Sequence, residues 1–110
     1  MIKATVCLYS GRPNPEWEFK AALYNQLLLL FDKCTPLSGM QHQPAILGYS
    51  GSMIIEKNKT WYAWNNVLSI NYKGKIIYYT DTERYIEKLV IASAPSNVKE
   101  ILRTLEPGLF

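Results

Sequence analysis

Histidine is almost missing from this chain: His42 is the single copy in 110 residues. Serine and cysteine hydrolases need an imidazole beside the nucleophile, and zinc sites draw on clustered histidines and cysteines. The cysteines are two, Cys7 and Cys34, far apart in sequence. No zinc spacing can be written from them, so no metal and no cofactor is expected. Long apolar runs are missing as well. The longest, "LLLLF", is far below the roughly 20 residues that cross a bilayer. The opening "MIKATVCLYS" alternates apolar with polar residues where an export signal has an unbroken apolar core. These absences predict a cytoplasmic protein that makes no membrane contact and keeps both thiols reduced. A strong charge of one sign is also lacking: twelve basic and nine acidic residues leave +3, scattered rather than run together. That balance does not point to nucleic acid.

What the chain has is apolar and aromatic surface. Hydrophobic residues make up 48% and aromatics 13%, enough for one core, and the length predicts a single domain over residues 1–110. Ile2, Ala4, Val6 and Leu8 alternate with Lys3, Thr5, Cys7 and Tyr9 as a strand with one buried face. "EWEF" reads as a short extended segment. Leu23, Leu27, Leu30, Phe31 and Cys34 recur every three or four residues and predict a helix from Lys20 to about Cys34, its stripe widened by Leu28 and Leu29. "TPLSGMQHQPAILGYSG" has prolines, glycines and no period, so it reads as a long connection.

From Ser52 onwards the pattern is a meander. "SMIIEKNKTWYAW" gives two strands, and "VLSINYKGKIIYYT" two more across a two-residue Lys73-Gly74 loop. Pairing across that loop puts Leu68, Ile70, Ile77 and Tyr79 on one face. Carrying the first turn through in the same way places Met53, Ile55, Tyr62 and Trp64 on that face too, and Asn66, which breaks it, calls for a bulge at Asn65-Asn66 or a hydrogen-bonded buried amide. Ile54, Trp61, Ala63, Val67, Ile76 and Tyr78 then point the other way, an apolar face that calls for a cover. Thr80 and Asp81 offer an N-cap, with Glu83 at capping-box spacing from Thr80, and predict a helix to about Ser93, with Tyr85, Ile86, Leu89 and Val90 inward. Val98, Ile101, Leu102 and Leu105 mark the inner side of a last helix capped by Ser96 or Asn97. The order β-α-β-β-β-α-α predicts an α+β fold: a mostly antiparallel sheet of four to five strands with helices on one face.

Carboxylate pairs offer no chemistry at this level. Glu16 and Glu18 share a side of an extended segment, and Glu83 and Glu87, interleaved with Arg84 and Lys88, read as a solvated helix face. Lys57 and Lys59 sit at one turn of the meander and Lys73 and Lys75 at another. Placed at opposite ends of the sheet, they form no continuous basic track, and nucleic acid is not the expected partner.

"SGRPNPEW" is the least ordinary stretch. Pro13 and Pro15 bias Arg12 and Asn14 towards extended backbone, so the loop is stiff and Arg12 is presented with little entropy left to lose. Such a guanidinium could engage a carboxylate, a phosphate or an aromatic plane on a partner. In the plainer reading Arg12 and Asn14 bond the loop's own backbone while Trp17 pins it to the sheet. "YSGRPNPEW" followed by a helix and then "LGYSG" resembles a group of small, uncharacterised, mostly bacterial single-domain proteins with an SGRPNP-x-W start and an LGY-x-G element. The resemblance implies no catalytic residue and no substrate. It does imply that Arg12, Pro13, Asn14, Pro15, Trp17, Gly48, Tyr49 and Gly51 form one unit.

The reading that follows is a non-enzymatic binding or accessory protein acting on a protein or peptide partner, or on a second copy as a homodimer. Arg12, Asn14, Trp17, Tyr49, Trp61 and Tyr78 are its contact residues, with no catalytic residue assigned. The alternatives are a small hydrolase-like enzyme using the loop around His42, and a weak RNA or single-stranded DNA binder using the sheet aromatics.

Overall fold

The computed structural model describes residues 1–9, 13–39 and 48–110. Its elements are β1 (Lys3–Tyr9), β2 (Glu16–Glu18), α1 (Ala21–Phe31), β3 (Thr35–Leu37), β4 (Gly48–Ile55), β5 (Lys59–Trp64), β6 (Val67–Tyr72), β7 (Lys75–Thr80), α2 (Tyr85–Ala92) and α3 (Ser96–Leu105). Single 3-10 turns occupy Thr82–Arg84 and Pro107–Leu109. The class is α+β, as expected. The sheet has seven strands rather than four or five, in the order β2-β1-β4-β5-β6-β7-β3, and every neighbouring pair is antiparallel. The strand missed outright is β3, which has three residues and includes Pro36, too short for any period to appear. It lies inside the stretch read as a long connection.

Asn65 and Asn66 decide which face is buried. Both take positive φ, 50° and 73°, the conformation of a two-residue hairpin turn that asparagine tolerates. Trp64 therefore pairs directly with Val67, Ala63 with Leu68 and Trp61 with Ile70. No bulge falls there, and the expected faces are corrected: Ile54, Trp61 and Ala63 share the inner face with Leu68 and Ile70, while Met53, Ile55, Tyr62 and Trp64 lie on the outer one. The irregularity sits instead in β4. Val6 pairs with Ser52 but Leu8 with Tyr49, so Ser50 and Gly51 together oppose Cys7. Gly51 has φ +124°, and a Cβ there would meet the Tyr62 ring at 2.5 Å, so both backbone and space demand glycine.

The three helices pack on the inner face. Leu27 of α1 and Ile86 and Val90 of α2 join Ala4, Phe19, Ile54, Trp61, Ala63 and Leu68 in one cluster. Val98 and Leu102 of α3 join Val6, Tyr49, Ile91 and Leu109 in a second. Phe31 meets Trp61 and Tyr79 edge-to-face, at 5.2 and 4.9 Å. The helical stripes are narrower than their spacing implied: Leu28, Leu29, Tyr85, Ile101 and Leu105 are exposed. A helix resting on a sheet buries only its contact line, and these positions flank it.

Corrections of end and cap follow. The β4–β5 and β6–β7 turns lie at the same end of the sheet, because Lys59 pairs with Tyr72 and Tyr72 with Lys75; the two lysine pairs are therefore together, not at opposite ends. Thr80 belongs to β7, and no Thr80–Glu83 capping box forms. The Asp81 carboxylate reaches past the 3-10 turn to accept the Ile86 and Glu87 backbone N–H groups, at 2.9 and 3.0 Å. Ser96 opens α3 without a side-chain cap.

Candidate functional site

The most concentrated ionisable chemistry lies beneath the sheet. Glu87, expected on a solvated face, is fully buried. Its Oε1 accepts hydrogen bonds from Asn65 N–H at 3.0 Å and Arg84 Nε at 2.9 Å. Its Oε2 accepts from Arg84 Nη2 at 2.9 Å and from the Tyr49 hydroxyl. The second arm of Arg84, Nη1, donates to Glu106 at 3.0 Å. One carboxylate thus joins β4, the β5–β6 turn and the entry of α2, and Arg84 extends the link to the end of α3.

Local backbone explains how Arg84 gets there. Glu83 and Arg84 both have positive φ, 51° and 59°, a costly conformation for residues with a Cβ. It folds the guanidinium back onto Glu87 three residues later, in a bidentate pair. Burial, then the charge of Glu87, raises the Tyr49 phenol far above its ordinary range, so it stays a donor. The hydrogen bond to Glu87 likewise raises Arg84. A carboxylate has about four acceptor positions, and those of Glu87 are taken by four donors. It is a cross-link between elements distant in sequence.

A second carboxylate, Glu56, accepts two hydrogen bonds on Oε2, from Tyr24 Oη at 2.9 Å and Trp61 Nε1 at 2.6 Å. Beside Asp81 a cleft of about 260 Å³ is lined by Leu30, Lys33, Cys34, Thr82 and Tyr85. Burial, then the charge of Asp81, pushes the Cys34 thiol up to about 11, and burial also raises Cys7. Both are protonated near neutral pH and poor nucleophiles. Among the described residues no group of three His, Cys, Asp or Glu side chains could hold a metal ion, and no helix is long and apolar enough to cross a membrane.

The expected contact residues separate. Arg12 and His42 lie outside the described residues. Asn14 Oδ1 accepts the Leu8 N–H at 2.8 Å, tying its loop to β1. Trp17 Nε1 donates to Ser93 Oγ at 2.8 Å, and Ser93 Oγ donates to the Val90 carbonyl at 2.6 Å, so the tryptophan pins the loop to the end of α2. Tyr49 is buried on Glu87. Trp61, 2% exposed, is core rather than surface. Tyr78 alone of the described five stands on the outer face, half-buried. The two motifs do meet: Leu8, bonded to Asn14, pairs with Tyr49, and Trp17 packs on the cluster that holds Tyr49. Their described side chains serve the fold.

Sequence reasoning missed Glu87, although the signal was present: it is flanked by Ile86 and followed by Leu89, Val90 and Ile91, inside the apolar stripe, with an arginine three residues before it.

The outer face carries a different pattern. Met53, Tyr62, Ser69, Tyr78 and Leu37 form one row across five strands. Ile55, Thr60, Asn71 and Ile76 form a second, and Trp64, Val67, Thr80 and Thr35 a third, in which Trp64 also packs against the second core cluster. None of these residues is charged and none is buried. Set against known proteins, the chain matches no family model, no curated protein and no solved structure.

Proposed function

We propose that the protein is a binding or accessory protein, without catalysis of its own, that recognises a protein or peptide partner or a second copy through the outer face of its sheet. The observation that carries this reading is the run of three uncharged rows over β3, β4, β5, β6 and β7. A solvated sheet face ordinarily alternates polar residues with the buried ones. This one offers tyrosine, isoleucine and methionine mixed with serine, threonine and asparagine, the composition of adaptable contact surfaces. The buried Glu87 carboxylate, occupied by four structural donors, supports the non-enzymatic half of the proposal. The resemblance to small bacterial proteins is read the same way, with the shared motifs bracing β1 and β4 beside the contact surface. Two protonated thiols suit work in the reducing cytoplasm.

The test places a charge at the centre of the face. Ser69→Lys and Tyr78→Lys, each with unchanged circular dichroism, are compared with the wild type in sedimentation velocity and in affinity capture from the native host. The expected result is an oligomer or a captured protein that the wild type shows and both variants lose. A strictly monomeric wild type with the same captured set as its variants would overturn the proposal.

A further inference from the structure

The hairpin turns Glu56–Asn58 and Lys73-Gly74 bring four lysines to one end of the sheet, a juxtaposition that the register establishes. Lys59, Tyr72 and Lys75 stand side by side on β5, β6 and β7. Adjacent strands are about 4.8 Å apart, so the two lysines flank the tyrosine across roughly 10 Å of backbone. Lys57 and Lys73 add charge from the turns.

Three further features favour a ligand over a merely solvated edge. Among the described residues none of the four lysines forms a salt bridge, and Glu56, in the first turn, is oriented by Tyr24 and Trp61 through Oε2. Two of the ammonium groups are pre-positioned on rings, Lys59 over Trp61 at 5.0 Å and Lys73 over Tyr72 at 5.4 Å. Tyr72 itself is 50% exposed, and Ile77, in the next row, is also open. The hairpin is firm, since Gly74 N–H donates to Asn71 Oδ1 at 3.0 Å across a positive-φ turn.

Cations alone would suit any polyanion. An exposed ring set between them adds a platform on which a base can stack, and that combination is how single strands are held without sequence preference. We infer that this end of the sheet, distinct from the outer face, binds single-stranded nucleic acid, with Lys57, Lys59, Lys73 and Lys75 on phosphates and Tyr72 stacking on a base.

Fluorescence anisotropy with a labelled oligothymidylate of about 12 nucleotides, a length within the span of small single-strand sites, tests this in the full chain, with heparin as a polyanion that has no bases. Binding should weaken with salt at a log–log slope of about −2 to −3, as three or four phosphate contacts on a single strand require. Changing all four lysines to glutamine should abolish binding of both probes. Tyr72→Ala should weaken the oligonucleotide about tenfold and leave heparin unchanged. Circular dichroism on each variant separates loss of binding from loss of fold, and Tyr72→Phe, which keeps the ring, should restore affinity. No oligonucleotide binding at low salt, or equal binding of both probes with no effect of Tyr72→Ala, would overturn the inference.

Discussion

Arg84 sits where two uncommon costs meet, a left-handed backbone and the burial of charge beside Glu87. Removing one partner of a buried pair leaves the other desolvated and unpaired, a loss of roughly 3–5 kcal/mol. Arg84→Ala should therefore cost about that much in urea unfolding, whereas a loss below about 0.5 kcal/mol, the surface range, would mean Glu87 is held by Tyr49 and Asn65 alone. Tyr24 gives a prediction in pH. Burial first, then its hydrogen bond to Glu56 and that group's charge, pushes its phenol up to about 12, against about 10 in an unfolded chain. The folded state holds this proton more tightly, so its stabilisation is complete below about pH 10 and is lost as pH rises to about 12. Thermal melts across that window should fall for the wild type and fall less for Tyr24→Phe; parallel curves would assign the alkaline loss to other groups.

Among the elements, those with long periodic patterns were readable: β1, the four strands of the meander, and the cores of α1, α2 and α3 all lie near their expected positions. What a pattern of alternation cannot supply is its absolute phase. Ile54 and Ile55 are chemically alike neighbours, and only the Asn65-Asn66 turn decides which of them is buried. The asparagine pair carried that information, since both residues accept positive φ, but it was read as a bulge. β3 was too short to show a period, and Glu87 was hidden because a carboxylate in an apolar stripe looks like a solvated one until its donors, distant in sequence, are in place. The phase itself is testable. Ile54→Ala should destabilise by about 2–5 kcal/mol, the cost of a large-to-small change at a buried site, and Ile55→Ala by clearly less; chemical denaturation showing the reverse order would return the sheet to its opposite phase.

For the whole molecule, the sheet has two faces with different duties. The inner one is packed by three helices and braced by Glu87, and the outer one is uncharged over the rows of β3 to β7 but carries Lys3, Glu16 and Glu18 on β1 and β2. Its two borders are also alike in a way that sets a limit. Each margin is a three-residue strand, β2 with Glu16 and Glu18 and β3 with Pro36, and Lys75 guards the part of β7 beyond Leu37. Stubby margins with charge and proline are poor templates for another strand. Such margins disfavour the lengthening of one copy's sheet by another. If two meet through the outer faces, the same patch on both partners gives a two-fold pair that closes on itself. Assembly by that route stops at two, and the margins work against an open-ended fibre.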